Sequence, residues 1–309
     1  MIHPAYEQIA VLGLGLMGGS FAMAARQARL ARFIVGFDPD REALVHAVST
    51  GTIEQAASDI RDAVADAALI VLAAPVRAIL ELLERLAPHV QPGTLVLDLG
   101  STKRLVVAHM NRLPDGVRAV GGHPMCGKEV AGLRHAEATL FKDATFALCP
   151  TRLTDETARQ EVEGVVRALQ AVPLWLTADD HDRLVAAVSH LPYLLSSALV
   201  QTALNADDLR ARQLAASGFR DTSRLAASDV RMMLDIVMTN ADLIAETLDH
   251  LGETIGELAD AIRRQDESAL HAFLTTGAER RRAWYAEKYG PPAPPTRGHT
   301  SDEHPQPGA

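Results

Sequence analysis

The sequence has little cysteine. Cys126 and Cys149 stand alone among 309 residues, and neither their number nor their spacing fits a disulfide framework or a zinc knuckle. Positive charge is also short: 30 Lys and Arg face 39 Asp and Glu, for a net charge of −9. That balance opposes nonspecific nucleic-acid binding and an anionic membrane surface. An anionic substrate would need local cations, because the overall field repels it. The opening "MIHPAYEQ" has no basic region followed by an apolar one, so no signal peptide is expected. The longest apolar run, Ala67–Val76, is too short to span a bilayer. Neither an HExxH nor a GxSxG stretch occurs. Together these absences predict a cytoplasmic protein with no metal and with neither membrane nor nucleic acid as partner.

The chain does have core material, with 48% apolar and 22% charged residues and length enough for two domains. Up to Trp175, short apolar runs alternate with amphipathic ones. "QIAVLGLG", "RFIVGFD", "ALIVLAA", "GTLVLDLGS", "VRAVGG", "ATFALCP" and "VPLWL" read as strands. Helices fill the gaps, among them Met17–Leu30 and Asp155–Gln170. Such alternation predicts a parallel sheet covered on both faces. After Trp175 the periodicity is helical. A long helix starts at a Thr177/Asp180 cap and is kinked by Pro192, which frees a carbonyl near His190. Further helices are predicted over 207–216, 229–238 (capped by Ser228), 240–264 and 266–288. The Pro- and Gly-rich end predicts a disordered tail over 289–309.

"VLGLGLMGGS" places Gly13, Gly15 and Gly18 in G-x-G-x-x-G spacing between a strand and a helix. Gly13 permits a tight turn, Gly15 a close approach of pyrophosphate, and Gly18 close helix–strand packing. With Leu16 and Met17 these residues form the expected cofactor cradle. Asp38 ends the second strand, where an acid binds ribose hydroxyls and repels a 2′-phosphate, which favours NAD over NADP; Arg41 nearby argues the other way. Ala74 and Pro75 end the next core strand at the same sheet edge. The expected architecture is an α/β Rossmann-type nucleotide-binding domain over 1–176, followed by an all-α domain over 177–288.

Three further stretches carry chemistry. "DLGSTK" (Asp98–Lys103) leaves a strand at the ligand-binding edge, with Ser101 as an expected helix N-cap. In "VGGHPMCGKE", glycines and Pro124 predict a stiff loop that presents His123 as a proton acceptor. His190, beside the Pro192 kink, is a candidate for lining a cleft. "SGFRDTSR" (Ser217–Arg224) predicts a polar loop with two arginines suited to carboxylates. Cys126 reads as a small loop residue.

Taken with "DHDRLVAAVSHLPYLLSSAL" and "SGFRDTSRLAASD", these motifs resemble the prephenate and arogenate dehydrogenases, the TyrA family, over about residues 8–285. The resemblance implies a helical domain that forms an intertwined homodimer, with the active site between domains. It implies that His123 is the catalytic histidine and that Ser101 positions it and the nicotinamide. His190 would then line the cleft, and Arg224 would bind a substrate carboxylate. Two departures stand out: Cys126-Gly127-Lys128 replaces a common Ala-Gly-Thr, and Tyr193 replaces a second histidine found in some prephenate users. The implied small-molecule substrate is prephenate or arogenate, with prephenate preferred. The implied reaction is NAD-dependent hydride removal with loss of CO2, giving 4-hydroxyphenylpyruvate from prephenate or tyrosine from arogenate. Two rivals remain. A β-hydroxyacid dehydrogenase would need a helical lysine, and Asp179–Leu204 contains none. A nonenzymatic NAD sensor would be indifferent to His123→Ala.

Overall fold

The computed structural model describes residues 5–204 and 209–290. Strand β1 (Tyr6–Leu12) leads into helix α1 (Leu16–Gln27), β2 (Ala31–Phe37) into α2 (Arg41–Ser49), and β3 (Gln55–Ala56) into α3 (Ile60–Val64). Then β4 (Leu69–Leu72) precedes α4 (Val76–Leu86), and β5 (Leu95–Asp98) precedes α5 (Arg104–Met110). Strands β6 (Arg118–Pro124) and β7 (Thr145–Pro150), helix α6 (Glu156–Ala168) and β8 (Val172–Trp175) complete one sheet, ordered β3-β2-β1-β4-β5-β6-β7-β8. Alternate strand residues feed opposite faces. Leu95 and Leu97 join one core cluster with Phe21 and Phe146. Ile70 and Val96 join another with Ile79.

The sequence predicts a parallel sheet, but the sheet is not wholly parallel. β6 and β7 pair antiparallel, while β7 and β8 are parallel. A parallel neighbour needs a crossover. Helix α6 supplies one between β7 and β8, but between β6 and β7 the chain forms only a short 3₁₀ turn, Leu133–His135. His123 is also placed differently. It lies within β6, paired with Ala147 of β7, rather than on a loop. Its glycines serve close packing: a Cβ on Gly122 would sit 2.4 Å from the Asp98 carbonyl oxygen.

Beyond the sheet, α7 (Ala178–Val185) passes through one π turn (Ala186–His190) into α8 (Leu191–Leu204). Thr177 caps α7 by accepting from Asp180 N at 3.0 Å, and its hydroxyl donates to the Asp180 carboxylate. Pro192 lacks an N–H and crowds the carbonyl four residues back, so the π turn falls where the kink is expected. Ala178–Leu204 spans 27 residues and is long and apolar enough to cross a membrane by length and composition, unlike the run Ala67–Val76. Yet His181, Asp182 and His190 within it are buried in the protein. Next come α9 (Leu209–Leu214), α10 (Ser217–Ser223), α11 (Val230–Thr239), α12 (Ala241–Arg263) and α13 (Glu267–Tyr289). The "SGFRDTSR" stretch is therefore helical, ending in a 3₁₀ turn at Arg224–Ala227. Asp229, not Ser228, caps α11, accepting from Met232 N at 2.7 Å. Part of the helix expected over 207–216 and nearly all of the expected tail lie outside the described residues.

By packing, the chain divides at Leu248/Asp249, within α12. Residues 178–248 join the first unit because polar contacts bind them to the sheet's helices. Thr239 meets Thr102 at 2.9 Å, and Asp235 pairs with Arg77. The second unit holds the rest of α12 and α13. Among its described residues, Ala261 alone is buried.

Candidate active site

The carboxyl ends of β1, β4, β5 and β6 share one edge of the sheet. At β1, Gly13 has φ +101° and packs on Ala73, where a Cβ would meet the carbonyl oxygen at 2.4 Å. Gly18 packs so closely on Gly13 that any side chain would strike its backbone. Gly15 is the N-cap of α1 and offers no capping side chain. The first N–H groups of α1 have no acceptor within the helix, and the space beside Gly15 is open, as an anion site requires. Asp38 follows β2. Its carboxylate accepts from Leu14 N at 2.6 Å and Asp40 N at 2.8 Å, which fixes it in the lining of a cleft of about 710 Å³. Phe37, Arg41 and Leu44 also line that cleft. Ala74 and Pro75 leave β4 at the same edge, with Pro75 as the N-cap of α4. These residues fit a dinucleotide.

After β5, Asp98 and Lys103 form a fully buried ion pair. Asp98 also accepts from Gly100 N at 2.7 Å and Gly122 N at 2.9 Å, while Lys103 donates to the Gly122 carbonyl at 2.6 Å. This knot fixes the segment that carries Ser101 against the strand that carries His123. Ser101 does not cap α5, which begins later, at Arg104, with Lys103 in the N-cap position. The cap comes from far away: Asp182 of α7 accepts from Lys103 N at 2.7 Å and Arg104 N at 2.9 Å.

Asp182 also fixes a histidine. His181 Nδ1 lies 2.8 Å from its Oδ1, and His181 Nε2 lies 2.9 Å from His123 Nδ1. The two imidazoles meet edge to face, with centroids 5.1 Å apart. Burial, reinforced by His181, Lys103 and His190, holds His123 well below the usual imidazole pKa. Burial raises the Asp182 carboxyl, but hydrogen bonds from His181, Arg104 and Lys103 outweigh it and leave the pKa low. At neutral pH, then, His123 is neutral and Asp182 ionised. His190 is interior. Its Nδ1 lies 3.4 Å from the amide nitrogen of Asn240, which also donates to the Asp182 carbonyl at 2.8 Å. Burial lowers the His190 pKa to about 4. Arg104 ties this cluster to Asp242 and to Asn240 Oδ1.

Arg224 is exposed and ion-paired with Glu129. Tyr193 lies half-buried on α8. Cys126 is half-buried, and desolvation pushes its thiol up to about 11, which leaves it inert near neutral pH. Lys128 pairs with Glu137 at 2.9 Å. Among the described residues, no group of three or more His, Cys, Asp or Glu is arranged to hold a metal. Sequence reasoning missed His181, Asp182, Asn240 and Glu129. Within "DDHDRL", the acids and the histidine pass for the wet face of an amphipathic helix. The adjacent His-Asp pair just ahead of a Pro-kinked helix was the available clue.

Comparisons with known proteins identify the family. A family profile described as "Prephenate dehydrogenase, nucleotide-binding domain" matches residues 21–174. A second, "Prephenate dehydrogenase, dimerization domain", matches residues 177–276. Prephenate dehydrogenase of Bacillus subtilis is 31% identical over 89% of this chain and 75% of its own. The prephenate dehydrogenase of Aquifex aeolicus, solved with hydroxyphenyl propionate and NAD+, superposes with a TM-score of 0.83 at 28% identity, covering 89% of this chain and 97% of that one. Arogenate dehydrogenase of Synechocystis gives a TM-score of 0.78 at 31% identity, covering 90% and 99%. A Rossmann-like cradle joined to helices, a neutral histidine at the sheet edge and both profiles lead to one conclusion: this chain is an oxidoreductase of the prephenate dehydrogenase (TyrA) family.

Proposed function

We propose that the protein oxidises and decarboxylates prephenate with NAD+, giving 4-hydroxyphenylpyruvate. The observation that carries this is His123: neutral, held through Nδ1 by His181, and set on the edge that carries the dinucleotide cradle. Gly13, Gly15, Leu16, Met17 and Gly18 would hold the pyrophosphate, Asp38 the adenosine ribose, and Ala74 and Pro75 would flank the cofactor. When bound, NAD+ supplies the acceptor for the hydride leaving C4 of the substrate ring. His123 accepts the C4 hydroxyl's hydrogen bond, which strengthens as that oxygen becomes carbonyl-like, so the transition state gains more than the ground state. Ser101, clear of the α5 cap, is available to the same hydroxyl. Arg224 binds a substrate carboxylate by exchanging partners with Glu129. His190 stays neutral and acts by holding Asn240 against α7. Tyr193 faces the substrate side chain as a hydrogen-bond donor.

The assembly is a homodimer through its helices. The second profile and the exposed apolar side chains of α13, Phe273 and Leu274 among them, support this. The test is NADH formation by purified protein with prephenate and with arogenate, beside His123→Ala. Turnover of prephenate that falls about 10²–10⁴-fold in the variant is the expected outcome. Faster turnover of arogenate would move the substrate assignment. No turnover of either, with NAD+ bound, would overturn the function.

A further inference from the structure

His123 alone is an awkward base. It is desolvated, and positive charge on His181, Lys103 or His190 opposes a positive charge on it. Yet its Nδ1 is not idle. It meets His181 Nε2, and His181 Nδ1 meets a fully buried carboxylate already held by two backbone N–H groups. An ionised carboxylate only accepts, so His181 Nδ1 donates to Asp182. A neutral His181 then has a bare Nε2, which accepts from His123 Nδ1–H. The lone pair of His123 is thereby left on Nε2.

We propose that His181 and Asp182 are positioning residues: they fix the tautomer of His123 and receive the proton it takes, so the acceptor is a carboxylate–imidazole–imidazole relay. The proposal rests on the function above. The steps balance. The substrate O–H bond breaks as an N–H bond forms at His123 Nε2. His123 Nδ1–H breaks as His181 Nε2–H forms, and His181 Nδ1–H stays with Asp182. The positive charge ends on His181, in contact with the Asp182 carboxylate rather than isolated in the pocket. The charged and titratable groups facing this pair are Asp182 on α7, Lys103 and Arg104 at the start of α5, His190 on the π turn and the buried Cys149 thiol on β7; Asp98 lies behind Lys103.

Two measurements test it. The first needs neither substrate nor a folded His181 variant. In ¹⁵N-histidine-labelled wild-type protein near neutral pH, with the His123 ring assigned by its loss in His123→Gln, Nδ1 is expected to be protonated and Nε2 bare. A protonated Nε2 would overturn the relay. The second is the pH profile of prephenate oxidation in His181→Gln. The expected result is a kcat lowered about 10²-fold or more, with KM within about threefold. The acid limb of kcat/KM should also move to lower pH by about one unit or more: only a protonated His181 depresses the His123 pKa, whereas the neutral His181 of the relay links His123 to the carboxylate, and that link is lost. A merely structural role would lower activity without moving that limb. An acid limb that stays in place or rises, or a wild-type kcat, would sink the proposal. If wild-type protein fails to oxidise prephenate, the functional assignment falls, and the tautomer measurement still decides the relay.

Discussion

The sheet and the last two helices bury their side chains in opposite ways. In the sheet, β1, β4 and β5 place residue after residue at 0% exposure. In the unit after Leu248, Ala261 is the one buried residue among those described, while Ile262, Leu274 and Trp284 are about half exposed or more. The sheet encloses its own core. The helical unit carries exposed apolar surface instead, and on the proposed homodimer a second copy covers it, which ties its stability to assembly.

The sharpest way to break this contrast is Leu97→Ala in β5. It opens a cavity nothing can fill, and is expected to cost about 2–5 kcal/mol in a chemical denaturation curve. Acid should act on the same unit. His190 has a folded pKa of about 4 against an ordinary 6.5. Between these values the unfolded chain binds a proton that the folded chain refuses. Stability therefore falls as pH drops from about 6.5 to about 4, by roughly 3 kcal/mol in all, and is fully present above that window. His190→Gln, which keeps an acceptor for Asn240, should flatten this slope in pH-dependent unfolding, leaving the part due to His123. On the other side of the contrast, Leu274→Asp should leave the sheet intact but convert dimer to monomer in sedimentation velocity and make the unfolding midpoint independent of concentration. The smallest effect belongs to the exposed Glu129–Arg224 pair. Glu129→Gln frees the guanidinium and should lower KM up to about fivefold, in line with the ~0.2–1 kcal/mol of such pairs. An unchanged or raised KM would remove Glu129 as a competitor for Arg224.

Much of this was legible in the chain. Most strand and helix positions followed from period and punctuation, though "SGFRDTSR" and His123 were expected on loops, and the glycine turn from β1 into α1 followed from spacing. The kink near His190 followed from Pro192, but its form, a π turn over Ala186–His190, did not. Strand direction was not legible, because periodicity is blind to it; the antiparallel β7 follows from the missing crossover after Pro124. Ser101 as a cap failed because the true cap, Asp182, lies remote in sequence. His181 failed for the same reason: its partners are His123 on a strand and a carboxylate held by another helix's backbone, and local pattern cannot carry such a contact.

That remote cap has a consequence for how the protein is made. Asp182 follows Arg104 by 78 residues, about 4–16 s of synthesis at the ~5–20 residues per second of translation. Throughout that interval the strands of the cradle can pair, but the start of α5 is capped by water alone and His123 has no partner at Nδ1. The nucleotide pocket is thus the older structure in the life of each chain, and catalytic competence its last acquisition. On the proposed roles, a nascent chain stalled before residue 181 would have the cofactor cradle without the imidazole and carboxylate that position His123.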